Sequence, residues 1–387
     1  MEYIDEIFLM DDVFQIEESV RQKSGMDILN VSHWDSSVEF QKHMNRVLEL
    51  PVSSLPWNYY YTYSISMEDR QRVLSRLGIT REQIPDTMGL LLQSSTIAIV
   101  NMINLLVHRG KKKLCILLPA YFSVSTCCQA LGLSCDTEEI RFSSGHPEIP
   151  MNQILNGGYD CVWITSPIFC TGRYFTEQQI CEIAKLKDAG LTLVFDESLA
   201  LPGKELLRFF PIDDETFSIY SPHKAISMNG LKFAVLVCSK RYEDFLEQWV
   251  DVFSGALASS NRDAVFHYIS SNYQDICLPA YKDYIGITKV KIERLLDIFP
   301  DVFILNGTEG HYINIFTHLK LEKNSSLPKF LQRVIEESMA SFIPGTLNGY
   351  GADQGLCFRV NLTASPSELT ASVGRILRYL SDHCYTG

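Results

Sequence analysis

The segment YSPHKAISMNGLKF, at Tyr220–Phe233, contains two lysines in contrasting surroundings. Lys224 lies among small and hydroxyl-bearing residues, whereas Lys232, eight residues later, leads directly into the apolar run FAVLVC. A short apolar run of this kind is typical of a buried β-strand, and the preceding FSIY has the same character. The segment therefore predicts a loop between two strands that carries both lysines.

Apolar strands alternate with amphipathic helices on the amino-terminal side of this segment. Strands are predicted in KKKLCILLPAYF, in Tyr159–Pro167 and in Leu191–Ser198, and helices in Thr96–Gly110 and in TEQQICEIAKLKDAG. Strands separated by helices indicate an α/β fold whose sheet is mostly parallel and flanked by helices. Ligands bind such sheets outside the carboxyl ends of the strands, where Pro119, Pro167 and Asp196 fall. We therefore expect one site at that edge.

The pattern changes after about residue 255. A hairpin-like strand pair, a helix ending in a Pro-Gly turn, the strand GLCFRVNLT and a terminal helix opened by Ser-Pro-Ser-Glu follow one another. These features predict a smaller α+β domain at residues 256–387, beside a large ligand-binding domain at residues 46–255. We expect residues 1–45 to pack with the small domain.

Composition excludes several classes of protein. The 387 residues are 46% hydrophobic and 21% charged, which suits a soluble enzyme of two domains. A net charge of −12 argues against broad binding to nucleic acid or to an anionic membrane. The eleven cysteines form no CxxC pair, so no metal site is expected. Without a signal-peptide pattern or a run of ~18 apolar residues, the sequence indicates reduced thiols in the cytoplasm.

The ordered stretches from about Ile28 to the terminal helix resemble the aminotransferase class I/II family, the pyridoxal-phosphate enzymes of fold type I. The segment that resembles the family most closely is SPHKAISMNGLK. It matches the family's Ser-x-x-Lys segment, which is followed by a glycine and a basic residue. The resemblance implies that Lys224 forms a Schiff base with pyridoxal 5'-phosphate and that Ser221 and Lys232 bind the phosphate. The family usually has arginine at Lys232, and lysine keeps the charge without the forked geometry. The alternative for Lys224 is a solvated loop lysine.

Asp196 ends the apolar stretch LVFDES, where a carboxylate is costly unless it meets a positive partner. The resemblance implies that this partner is the protonated pyridine nitrogen of the cofactor. A carboxylate there keeps the nitrogen protonated, so that the ring accepts electrons from the substrate. The alternative is an ordinary capping or strand-end aspartate.

Further cofactor-binding residues follow from the same resemblance. Ser94, Ser95 and Thr96, in QSSTIAI, correspond to the family's phosphate cup at a helix start, and the alternative is plain N-capping. Tyr121, in LLPAYF, corresponds to the aromatic residue that stacks on the cofactor ring, and the alternative is a core aromatic.

The resemblance also implies residues for the substrate and for a partner subunit. Arg359, in CFRVNLT, would bind the substrate α-carboxylate in a bidentate pair, unless it lies on an exposed strand face. His33 and Trp34, in ILNVSHWDSS, would lie near the entrance of the site. Tyr63, in NYYYTYSIS, would reach the phosphate of the other subunit of a homodimer.

Two positions depart from the family pattern. Phe169 stands where a turn asparagine usually binds the cofactor's phenolic oxygen, and Leu199 stands where a tyrosine usually does so. Such donors favour the phenolate and lower the pKa of the Schiff base. The sequence therefore leaves two functions open. One is an aminotransferase that moves an α-amino group from an amino acid to a keto acid. The other is a specialised enzyme of secondary metabolism that uses the same cofactor for elimination, cyclisation, decarboxylation or oxidation. The presence of both Lys224 and Asp196 argues against a non-catalytic relative.

Overall fold

The computed structural model describes residues 4–46, 71, 73–75, 79–80, 82–143, 146–225, 229–230, 232–253, 255, 273–320, 327–351 and 356–386. The helices are α1 (Ile4–Ser24), α2 (Val38–Met44), α3 (Ser95–His108), α4 (Ser123–Leu131), α5 (Met151–Asn156), α6 (Glu177–Asp188), α7 (Pro222–Ala225), α8 (Glu243–Phe253), α9 (Tyr273–Leu296), α10 (Leu327–Ser338) and α11 (Pro366–His383). Short 3-10 turns occupy Ile84–Asp86, Leu206–Phe209, Lys240–Tyr242 and Gly345–Asn348.

The strands contain two to six residues each and belong to several sheets. They are β1 (Leu29–Asn30), β2 (Thr87–Leu92), β3 (Lys113–Leu118), β4 (Ser134–Glu139), β5 (Arg141–Ser143), β6 (His146–Glu148), β7 (Cys161–Thr165), β8 (Thr192–Glu197), β9 (Thr216–Tyr220), β10 (Ala234–Ser239), β11 (Val302–Phe303), β12 (Tyr312–Thr317), β13 (Leu319–Lys320), β14 (Ala340–Ser341), β15 (Cys357–Asn361) and β16 (Tyr385–Thr386).

Seven strands form the central sheet in the order β2-β10-β9-β8-β7-β3-β4. Adjacent strands from β9 to β4 pair in parallel, and β10 pairs antiparallel with both β9 and β2. Every residue of β7, β8 and β9 is buried, because both faces of a parallel sheet are covered. The predicted α/β fold with a mostly parallel sheet is therefore confirmed.

Helices cover both faces of this sheet. Side chains of β7 alternate between two hydrophobic clusters, with Val162 and Ile164 in one and Cys161 and Trp163 in the other. Helices α3 and α8 contribute to the Trp163 cluster, and α6 contributes to the opposite one. None of the helices in the described ranges combines the length and the apolar character that a membrane crossing requires.

A second hydrophobic core lies beside the sheet. There α9, α10 and α11 pack with the three-stranded sheet β11-β12-β15, and α1 and α2 contribute Val13, Val20, Phe40 and Met44 to the same cluster. The domain boundaries that the sequence predicts near residues 45 and 255 stay predictions. The adjoining residues 47–70 and 256–272 lie outside the described ranges.

Candidate active site

A cavity of about 330 Å³ opens at the carboxyl ends of β7 and β8, beside the first turn of α3. This is the edge of the sheet at which the sequence predicts a ligand. The predicted site residues that line it are Trp34, Ser94, Ser95, Thr96, Tyr121, Asp196, Lys224 and Lys232. The fold therefore brings to one place residues that are distant in the sequence.

One end of the cavity is suited to an anion. Ser94 is the N-cap of α3, and its hydroxyl accepts a hydrogen bond from the Ile97 N–H at 3.2 Å. The buried hydroxyls of Ser95 and Ser221 lie 2.9 Å apart, and Lys232 lines the same cavity. A helix N-terminus, two hydroxyls and an ammonium group together favour a phosphate.

Lys224 lies in α7, the single helical turn that follows β9. Burial lowers the pKa of the Lys224 ammonium, and the nearby Asp196 carboxylate opposes that shift without cancelling it. A lowered pKa makes the neutral amine more accessible, and the neutral amine is the form that attacks a carbonyl carbon. A buried lysine with a lowered pKa is suited to act as a nucleophile or as a proton acceptor.

Asp196 is the last residue but one of β8 and is 4% exposed. Burial raises the pKa of its carboxyl group, while hydrogen bonding from Ser198 and the charge of Lys224 lower it. The Ser198 N–H donates to Asp196 Oδ1 at 3.1 Å. Because burial of a carboxylate is costly, Asp196 favours a ligand that offers it a positive charge.

Several buried polar atoms around the cavity lack a hydrogen-bond partner within the described part of the chain. They are Thr165 Oγ1, His223 Nδ1 and Asn229 Oδ1. Buried polar atoms in native proteins are nearly always paired, so the cavity is suited to a polar ligand. Pyridoxal phosphate fits this set, because its phosphate, aldehyde and ring nitrogen match the anion-binding end, Lys224 and Asp196.

Arg359 lies on β15 and is 3% exposed. Its Nε donates to the Ser32 carbonyl at 2.8 Å, and its Nη2 has no partner within the described residues. Its guanidinium carbon lies 4.7 Å from the centre of the Trp34 ring, and Lys224 Nζ lies 5.9 Å from that centre. The Trp34 indole therefore lies near both cations, and Arg359 retains a donor for an anion.

The segment that carries Trp34 is held through its main chain. Asn229 Nδ2 donates to the Trp34 carbonyl at 2.6 Å, and the Tyr312 hydroxyl donates to the His33 carbonyl at 3.1 Å. The His33 imidazole lies against the Asp35 carboxylate, with Nδ1 and Oδ2 2.9 Å apart, and lines a separate cavity. The structure brings Trp34, but not the His33 side chain, to the cavity with Lys224.

Several residues that line the cavity are not predicted as site residues from the sequence. Burial lowers the pKa of His223 to about 3, with a further contribution from Lys224, so His223 is neutral. His223 and Asn229 both lie in the segment that carries the lysines, and Thr165 ends a predicted strand, but the sequence gives no direction for their side chains. Phe169 and Leu199 line the cavity. Tyr63 lies outside the described residues.

Solved structures of low sequence identity share the whole fold. Aspartate aminotransferase from Thermotoga maritima is 16% identical, with 96% of this chain and 97% of that chain covered and a TM-score of 0.73. Bna3p, a putative kynurenine aminotransferase from Saccharomyces cerevisiae, is 14% identical, with 96% and 95% covered and a TM-score of 0.74. A pyridoxal-phosphate-bound C-S lyase from Staphylococcus hominis is 14% identical, with 92% and 88% covered and a TM-score of 0.69.

A search of curated protein sequences finds no match to this chain. The sequence model of the family described as "Aminotransferase class I and II" matches residues 42–376. That match includes Lys224, Asp196 and the anion-binding residues of the cavity. The chain therefore belongs to the aminotransferase class I and II family and is an enzyme whose cofactor is pyridoxal phosphate.

Proposed function

We propose that this enzyme is an aminotransferase that moves the α-amino group of an amino acid to a keto acid, with Lys224 as the residue that bonds the cofactor. One observation supports this function above all others. Lys224, Asp196 and the anion-binding end formed by Ser95 and Lys232 line a single cavity. When bound, pyridoxal phosphate supplies an aldehyde that exchanges amines and a ring that accepts an electron pair.

Lys224 is the proton carrier of the proposed reaction. Burial lowers its pKa, which favours the neutral amine that accepts a proton from the α-carbon of the amino acid. Transamination needs the same amine to deliver that proton to the carbon on the other side of the amino nitrogen, which is the carbon that the cofactor's aldehyde would supply. A partly buried lysine on a short turn suits both steps, because the side chain has four rotatable bonds and a fixed origin.

Asp196 and Arg359 are proposed to bind and orient the cofactor and the amino acid, respectively. Asp196 offers a buried negative charge to the ring nitrogen, and the Ser198 N–H fixes one of its oxygens. Arg359 retains an unpaired Nη2 beside Trp34, which suits the carboxylate of an amino acid. Trp34 lines the cavity, and the Arg359 guanidinium carbon lies 4.7 Å from the centre of its ring.

A second function keeps the cofactor and changes the reaction to an elimination, cyclisation, decarboxylation or oxidation of an amino acid. The observation that favours it is the apolar character of one cavity wall, where Phe169 and Leu199 lie beside Tyr121. The Phe169 and Tyr121 ring centres are 6.1 Å apart. Neither Phe169 nor Leu199 offers a hydrogen-bond donor to a cofactor.

The test begins with the visible absorption of the purified enzyme loaded with pyridoxal phosphate. Lys224→Ala should abolish the absorption that survives dialysis, because no amine remains to bond the aldehyde. The control is Lys204→Ala, which removes an exposed lysine whose Nζ pairs with Glu309 at 2.9 Å. Absorption that persists in Lys224→Ala after dialysis would exclude Lys224 from its proposed role.

Incubation with a panel of amino acids, without a keto acid, separates the two functions. An aminotransferase releases one equivalent of keto acid and leaves pyridoxamine phosphate. Ammonia, carbon dioxide or a cyclic product, formed in many turnovers without an amino acceptor, would instead support the second function.

Assembly and location are part of the proposal. We expect a homodimer, as is typical of the family, and sedimentation of the loaded enzyme measures it; an active monomer would contradict it. We also expect a cytoplasmic enzyme, because none of the eleven cysteines, all of which lie in the described ranges, forms a disulfide, as a reducing compartment allows. Fractionation of the source cells would test this expectation.

A further inference from the structure

Thr165 is a buried residue of the cavity that the proposed function leaves without a role. It ends β7, is 6% exposed, and its Oγ1 has no hydrogen-bond partner within the described residues. It pairs in parallel register with Asp196 of β8, and both side chains line the cavity. Residues in register on neighbouring strands point to the same face, so the Thr165 and Asp196 side chains share one face of the sheet.

The strand order separates the Thr165 hydroxyl from the anion-binding end. Ser95 follows β2, Ser221 follows β9 and Lys232 precedes β10, and all three strands lie on one side of β8. Thr165 belongs to β7, on the other side of β8. The cavity therefore has a phosphate side and an opposite side, with Asp196 between them.

The covalent structure of pyridoxal phosphate has the same asymmetry. The ring nitrogen and the carbon that bears the aldehyde face each other across the ring, and the phosphate arm and the phenolic oxygen lie on opposite sides of that axis. With the nitrogen at Asp196 and the phosphate at Ser95, Ser221 and Lys232, the phenolic oxygen is directed toward β7.

The described cavity residues of β7 and of the turn after it are Thr165 and Phe169, and only Thr165 has a donor. Ser198 belongs to the chain that continues β8, and its N–H already binds Asp196 Oδ1. Its hydroxyl lies close enough to that carboxylate to lower its pKa. Thr165 is therefore the donor best placed for an oxygen on the β7 side.

We propose that Thr165 Oγ1 donates a hydrogen bond to the phenolic oxygen of bound pyridoxal phosphate. This inference rests on the proposed attachment of the cofactor to Lys224. A hydrogen bond to that oxygen draws its negative charge away from the nitrogen that joins lysine and cofactor. That nitrogen then loses its proton at lower pH, so Thr165 sets the pH at which the visible absorption changes.

The test is a pH titration of the visible absorption of the enzyme loaded with pyridoxal phosphate. Thr165→Val should raise the pKa of the absorption change by about one unit or more, as expected from loss of a hydrogen bond to a charged group. Thr165→Ser keeps the hydroxyl and should keep the wild-type pKa. The matched control is Tyr121→Phe, which removes the phenol that follows β3, keeps the aromatic ring and should titrate as wild type.

A wild-type pKa in Thr165→Val, or an equal rise in Tyr121→Phe, would overturn the proposal. Phe169→Asn decides the matter if Thr165→Val does not fold or bind the cofactor. It introduces a donor on the β7 side and should lower the pKa, and an unchanged pKa would show that the oxygen faces elsewhere. Lys224→Ala distinguishes a failure of the proposed function from a failure of the Thr165 proposal. Visible absorption that survives dialysis in that variant refutes the proposed function, irrespective of the result for Thr165→Val.

Discussion

The hydroxyl oxygens of Ser95 and Ser221 lie 2.9 Å apart, although one residue begins α3 and the other follows β9. Both side chains are buried, and the hydrogen bond between them uses the proton of only one hydroxyl, which leaves the proton of the other and further lone pairs for a ligand. The pair therefore fixes the distance between two loops and presents polar atoms to an anion at the start of a helix.

Ser221→Ala should raise the dissociation constant of pyridoxal phosphate by about tenfold or more, because a hydrogen bond to a charged oxygen is lost. The catalytic constant at saturating cofactor should change little. Equilibrium dialysis measures the affinity, and Ser134→Ala, at an exposed serine of β4, is the control. Equal affinity in the two variants would remove Ser221 from the phosphate site.

Asp196→Asn should slow exchange of the substrate α-proton by about 100-fold or more, because the charge opposite the ring nitrogen is lost. The affinity for pyridoxal phosphate should fall far less, since the phosphate contacts are untouched. Nuclear magnetic resonance of deuterium exchange at the α-carbon measures the first quantity and dialysis the second. Equal losses in rate and affinity would contradict a role for Asp196 in accepting electrons.

Arg359→Ala should raise the KM for the amino acid by about 30-fold or more, because a buried charge pair with the substrate carboxylate is lost. Steady-state kinetics with a saturating keto acid measure the change. Arg241→Ala is the control, because Arg241 is an exposed arginine that pairs with Asp214 at 2.6 Å. An unaltered KM in Arg359→Ala would assign the carboxylate to another group.

Glu197, the last residue of β8, makes the stability of the protein depend on pH. Burial raises the pKa of its carboxyl group to about 8, from a usual value of 4.5, and Glu205 adds to the rise. One of its oxygens accepts from the Leu206 and Leu207 N–H groups, and the other lies 2.6 Å from the Ser218 hydroxyl. Between the two pKa values the folded protein holds a proton that the unfolded chain releases.

The contribution of Glu197 to the free energy of unfolding should therefore be present at low pH. It should decline as pH rises from about 5 to about 8, with a slope of at most about 1.4 kcal/mol per pH unit. Glu197→Gln should remove this decline, because the amide accepts and donates as the protonated acid does. Urea unfolding at several pH values measures both proteins. Parallel stability curves for wild type and variant would contradict the raised pKa.

The sequence predicts the fold well where one physical requirement dominates. Strands β7, β8 and β9 are buried on both faces, so their sequences are rich in apolar residues, and Asp196 is conspicuous because it directly follows the apolar residues of β8. The antiparallel direction of β10 has no such signal, since an apolar run is the same in either direction. Strand direction depends on the route of the connecting loop.

The candidate site is predicted less completely. The order of strands and loops predicts which segments meet at the site. The direction of each side chain depends on contacts between segments that are distant in the sequence, and the sequence does not show these contacts. The hydrogen bond from Asn229 Nδ2 to the Trp34 carbonyl joins residues separated by 195 positions. The His33 imidazole is directed toward the carboxylate of Asp35, two residues later. Neither contact is predicted by a periodicity or a motif in the sequence.

The position of Trp34 makes its fluorescence an intrinsic reporter of ligand binding in the cavity. Its indole lies 5.9 Å from Lys224 Nζ and 4.7 Å from the Arg359 guanidinium carbon, so a molecule that enters the cavity changes the charges and rings around it. Tryptophan emission responds to such changes. Occupancy of the cavity can therefore be followed by intrinsic fluorescence without an added label, and Trp34→Phe identifies the part of the signal that comes from the cavity itself.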